Sequence, residues 1–61
     1  MKAETLIIET PRKSVTIPLG RPMDLYELRE HCRKLIRGFA PQTITLSGKL
    51  ARATYAGTKI Q

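Results

Sequence analysis

The segment from Asp24 to Pro41 is marked at both ends as a helix, and in a 61-residue chain one such element decides most of the architecture. Asp24 stands as N-cap with Glu27 three residues on, a capping-box pair, and Met23 and Leu28 occupy the positions of a hydrophobic staple. Gly38 supplies a left-handed stop and Pro41 forbids a restart, so the helix is expected from Leu25 to about Arg37. Within it Leu25, Leu28, Cys32, Leu35, Ile36 and Phe39 recur at helical spacing. That stripe needs a sheet to cover it.

The flanking segments alternate as strands do. Glu4 to Glu9 and Ser14 to Leu19 are rich in β-branched residues and read as a hairpin. Pairing Thr10 with Val15 sets Ile8 against Ile17 and Leu6 against Leu19, which gathers the large apolar side chains on one face. A slip by one residue would mix Glu9 into that face. Pro18 has no N–H for a ladder bond and marks the second strand as an edge.

After Pro41, Gln42 to Ser47 and Leu50 to Tyr55 form a second hairpin around Gly48-Lys49, a pair suited to a type II′ turn. The two-residue loop opposes Leu46 to Ala51 and Ile44 to Ala53, with Thr45 facing Arg52 and Thr43 facing Thr54. A three-residue loop would set Ile44 against Arg52. Tyr55 falls on the apolar side, and Ala56 to Gln61 is expected as a mobile tail with Ile60 as an anchor.

The expected fold is therefore α+β: a single domain over residues 1–61, in two layers, ordered β-β-α-β-β. Its four-stranded sheet is mainly antiparallel, and one helix crosses one face. The simplest short crossover gives the strand order 2-1-3-4, with the last strand as the free edge. So small a domain buries only about 60% of the surface its unfolded chain exposes. One cysteine, Cys32, and one histidine, His31, supply neither a disulfide nor a four-ligand metal site. Self-association at Leu50 to Tyr55, giving a homodimer, is the expected remedy.

Composition narrows function by exclusion. A 41% hydrophobic and 26% charged chain without low-complexity stretches is a folded one. The longest apolar run near the start is Leu6-Ile7-Ile8, too short for a signal core or a membrane span, and the lone thiol suits the cytoplasm. Beginning at Met1 with no tag, the sequence reads as a complete small reading frame. His31 and Cys32 are adjacent on a helix, where their side chains diverge by roughly 100° and share neither proton nor metal. Asp24, Glu27 and Glu30 near the helix start are explained by the macrodipole and capping better than by acid/base work. Gly48-Lys49 lacks the flanking pattern of a phosphate loop. No enzymatic activity, cofactor, metal, membrane or small-molecule substrate is expected.

Charge is the uneven feature. Eleven Lys and Arg face five acids, a net charge of +6. All five acids lie in the first 30 residues, whereas Arg33, Lys34, Arg37, Lys49, Arg52 and Lys59 follow with no acid among them. Arg29, Arg33 and Arg37 stand four apart along one flank of the helix, with Tyr26 at its head, a spacing suited to successive phosphates. The plainer account is a solvated helix face in which Glu30 and Lys34 pair.

The open sheet face should show Thr5, Ile7, Glu9, Thr16, Pro18, Thr43, Thr45, Ser47, Leu50, Arg52 and Thr54, with no aromatic platform for stacking bases. The expected function is a small cytoplasmic regulatory or accessory protein that binds nucleic acid as a homodimer. Arg29, Arg33, Arg37, Lys49 and Arg52 contact phosphates in that reading. The alternative is a protein-interaction module that docks on an acidic protein partner or adds a strand to it.

Overall fold

A computed structural model describes residues 1–56. The chain runs β1 (Ala3–Glu9), β2 (Ser14–Met23), α1 (Leu25–Leu35), β3 (Thr43–Ser47) and β4 (Leu50–Thr54). Four strands form one sheet with α1 across one face, the expected two-layer α+β arrangement. Of the expected tail only Ala56 is described; the rest of that expectation, including the Ile60 anchor, lies outside the described residues.

The strand order differs from the expected one. It is β2-β1-β4-β3, with β4 parallel to β1 at the centre and β3 at the edge. Packing volume explains the exchange. At the centre of the sheet the small Ala51 and Ala53 lie beside Leu6 and Ile8 and are fully buried. The bulkier Ile44 and Leu46 are half-buried on the edge strand, packed against the margin of that core. The last strand is thus interior and offers no edge for self-association.

The second hairpin has the expected register throughout, from Ser47 opposite Leu50 to Thr43 opposite Thr54. Gly48 sits at φ 63° and Lys49 has no positive φ, the combination a type II′ turn requires. The first hairpin keeps its faces but shifts by two residues: Ile8 opposes Val15 and Leu6 opposes Ile17. Thr10 is the cause. Its N–H and its hydroxyl both donate to the Lys13 carbonyl, at 2.9 and 3.0 Å, and its Oγ1 accepts from the N–H groups of Arg12 and Lys13. Thr10 thereby closes a tight Pro11-Arg12 turn and faces Lys13 in place of Val15.

β2 also runs past Leu19. Thr5 opposes Pro18 while Ala3 opposes Met23, so extra residues around Gly20 bulge out of the edge and return Met23 to the core. The helix then starts where the sequence marks it. Asp24 accepts the Glu27 N–H at 2.8 Å, and the Glu27 carboxylate accepts the Asp24 N–H at 3.1 Å. That backbone N–H, together with Arg21 at 2.9 Å, holds the Glu27 carboxyl below its usual range. Asp24→Ala is expected to cost about 1 kcal/mol, read as a lower midpoint in urea unfolding; an unchanged midpoint removes the cap from this account.

α1 ends at Leu35 with Ile36 as C-cap, two residues short of the expected end. Gly38, at φ 81°, returns its N–H to the Arg33 carbonyl at 2.9 Å. The core gathers Leu6, Ile8, Met23, Leu28, Cys32 and Tyr55 around the two alanines. The apolar stripe is used only along its middle. Leu28 and Cys32 are fully buried, whereas Leu25 and Leu35, and Phe39 beyond the helix, are 48%, 44% and 57% exposed, because among the described residues no second layer covers them. No helix among the described residues is long and apolar enough to cross a membrane.

Candidate nucleic-acid interface

The rotation of α1 distributes its charges. Leu28 and Cys32 point into the core, and at roughly 100° per residue Glu27 and His31 fall on one flank and Arg29 and Arg33 on the other. Arg21 of β2 reaches Glu27 at 2.9 Å, so the first flank overlooks β2. Arg29 and Arg33 therefore overlook the opposite edge, which is β3.

The five expected phosphate-contacting residues do not share one surface. Arg29 and Arg33 are exposed on α1, with Arg33 Nη1 4.0 Å from Glu30 Oε2. Arg37 lies beyond the helix in the closing turn, so the four-residue repeat ends at Arg33. Arg52 sits between the buried Ala51 and Ala53, and strand alternation sends it to the sheet face away from the helix. There it lies opposite Ile7 and reaches Glu9 at 3.0 Å. Lys49 is at the β3–β4 turn, where its Nζ is 4.0 Å from Glu4 Oε2. The single basic surface expected from the sequence is split by the thickness of the sheet.

A different grouping takes its place. Tyr55 donates its N–H to the Glu9 carbonyl at 2.9 Å and its hydroxyl to the Phe39 carbonyl at 3.1 Å. These bonds bring the end of β1 and the turn after α1 to the same end of the molecule. That end carries Arg12 and Lys13 on the first turn and Arg37 beyond the helix, with Lys34 in the last helical turn. None of these four, nor Arg29, has a carboxylate within 4 Å among the described residues. Asp24 and Glu27 are at the other end, engaged in the cap. Arg12, Lys13 and Lys34 are not among the phosphate-contacting residues expected from the sequence. The available signal was a basic pair at a hairpin tip, which gains meaning only once the helix terminus is known to come beside it.

The remaining chemistry is quiet. Cys32 is fully buried, and burial pushes its thiol up, against a smaller opposite effect of the Tyr55 hydroxyl; it packs as a small apolar side chain. The open sheet face carries exposed Thr16, Pro18, Thr43, Thr45 and Ser47, with Ile7 half-covered. None of the described aromatic residues lies on it: Tyr26 is on α1, Phe39 follows the helix and Tyr55 is in the core. No protein-family model, curated protein or solved structure matches the chain.

Proposed function

We propose that the protein binds nucleic acid through its phosphates, using the cationic end made by Arg12, Lys13, Lys34 and Arg37 together with Arg29 and Arg33 along the helix. One observation carries this reading: these cations, apart from Arg33 beside Glu30, have no carboxylate within 4 Å among the described residues, while Asp24 and Glu27 are tied into the helix cap and Glu4 and Glu9 lie beside Lys49 and Arg52. Such a surface gains affinity by releasing condensed counterions and reads no sequence. The cytoplasm, where a lone thiol stays reduced, suits the same reading. Arg52 and Lys49, each beside a glutamate on other surfaces, take no part in it.

The test is the salt dependence of binding to mixed-sequence duplex DNA and to RNA. Retardation is expected at low salt and is lost steeply as salt rises. Arg29→Gln with Arg37→Gln, which removes two phosphate contacts and keeps helix propensity at position 29, is expected to lower the log-log slope by about 1.8 on duplex DNA. No retardation of either polymer at low salt overturns the reading. The uncharged edge strand β3 favours a second one, a module that takes up a strand from a protein partner, for which binding is only mildly salt-sensitive.

A further inference from the structure

The two edges of the sheet are protected unequally. β2 carries Pro18, Pro22 and a bulge around Gly20, each of which blocks continuation of a ladder. β3, Thr43-Ile44-Thr45-Leu46-Ser47, carries no proline, no charge and no bulge, and among the described residues no strand pairs with its outer side. In an antiparallel ladder closed by a two-residue turn, Ser47 exchanges both backbone bonds with Leu50 and Thr45 does so with Arg52. The N–H and C=O groups of Ile44 and Leu46 therefore point outward.

We propose that a second copy of this chain pairs with that edge, antiparallel, about a two-fold axis at Thr45. The strand is complementary to itself about its centre. Thr43 meets Ser47 and Thr45 meets Thr45 on the open face, while Ile44 meets Leu46 on the helix face; hydroxyl and aliphatic pairs of this kind are the favourable cross-strand ones. The same register sets the outward groups of Ile44 against those of Leu46 in the second copy, so four backbone hydrogen bonds form. The half-buried Ile44 and Leu46 side chains gain cover from each other. An isologous interface requires this self-complementarity, and an acidic foreign strand would find no cation on β3 to recognise it.

The pairing makes one eight-stranded sheet with both helices on the same face. Their axes stand about four strand spacings apart, roughly 19 Å, which leaves an open cleft between them. Arg29 and Arg33 overlook β3, so the two copies line that cleft from both sides and each supplies half of its cations. The cleft's use as a phosphate site rests on the function proposed above; the pairing itself does not. Five residues of strand make a small interface, so the association is weak and depends on protein concentration.

Sedimentation of the full chain across a range of concentrations tests the pairing. The wild-type protein is expected to shift from monomer to dimer as it approaches high micromolar concentration. Thr45→Glu and Thr45→Lys each place like charges face to face on the axis, and each is expected to remain monomeric. An equimolar mixture of the two variants is expected to dimerise again, which shows that both still fold. Thr16→Glu, the same change on the open face of β2, should leave the wild-type dimer intact. A monomeric wild type, a dimer that survives either Thr45 change, a mixture that stays monomeric, or a dimer lost in Thr16→Glu overturns the proposal. Retardation of DNA is read separately: a dimer that binds none removes the nucleic-acid function and leaves the β3 pairing standing.

Discussion

Leu28→Ala is expected to destabilise the protein by about 3 kcal/mol, the middle of the range for a buried leucine truncated in a core that cannot collapse around the void. Leu28 is fully buried, one of the three largest side chains without residual exposure, beside Leu6 and Cys32. A 61-residue domain has a total stability of roughly 3–9 kcal/mol, so the loss takes a third of it or more. The melting temperature should fall by about 12–24 °C, or the cooperative transition should vanish. Leu35→Ala is the matched control. It removes the same atoms from the same helix, but from a side chain 44% exposed, and should cost far less. The stripe read from the sequence treats the two leucines alike, so equal effects would show that α1 is rotated from the orientation described.

Tyr55→Ala is expected to be comparably damaging, by about 3–5 kcal/mol, because this residue joins three parts of the fold. Its ring is buried in the core, its N–H bonds to the Glu9 carbonyl, and its hydroxyl donates to the Phe39 carbonyl at 3.1 Å with the Cys32 carbonyl at 3.5 Å. The end of the helix and the end of β1 are held together through it. Tyr55→Phe keeps the ring and leaves the Phe39 carbonyl without this donor, a change expected to cost about 1 kcal/mol.

A pH signature separates the hydroxyl from the ring. Burial, assisted by Cys32, pushes the Tyr55 hydroxyl up to about 12, whereas in the unfolded chain a tyrosine titrates near 10. Between those values the folded protein keeps a proton that the unfolded chain releases. The Tyr55 contribution is therefore complete below about pH 10 and declines as the pH rises toward 12. Urea unfolding of the wild type should weaken across that window more than that of Tyr55→Phe. Parallel pH profiles for the two proteins would show that the buried hydroxyl bond contributes no such dependence.

The cationic surface shows where reading from sequence reaches its limit. Arg29, Arg33 and Arg37 have the right spacing, but a helix that stops at Leu35 takes Arg37 out of the repeat. Arg52 was legible as an outward residue on its strand, yet its distance from the helix arginines depends on which face the helix covers. Its partner Glu9 lies 43 residues away and meets it only because β4 lies beside β1. Arg12 and Lys13 gain significance in the same way, through the neighbourhood of a helix terminus distant in the chain.

What the sequence determined by itself is local: four strands and one helix, the capping box at Asp24, the type II′ turn at Gly48, and the division of each strand into a buried and an exposed face. Each follows from interactions within a few residues, or from a period of 2 or 3.6 that the chain displays along its length. Even the shift of the first hairpin left its faces unchanged, since a two-residue displacement preserves alternation. The tertiary structure alone decided the central place of β4, the edge place of β3, the rotation that buries Leu28 and leaves Leu35 half in water, and the clasp made by Tyr55. These depend on how volumes fit between segments far apart in sequence. Two alanines are fully buried on an inner strand, and no periodicity in the chain distinguishes them from alanines at an edge.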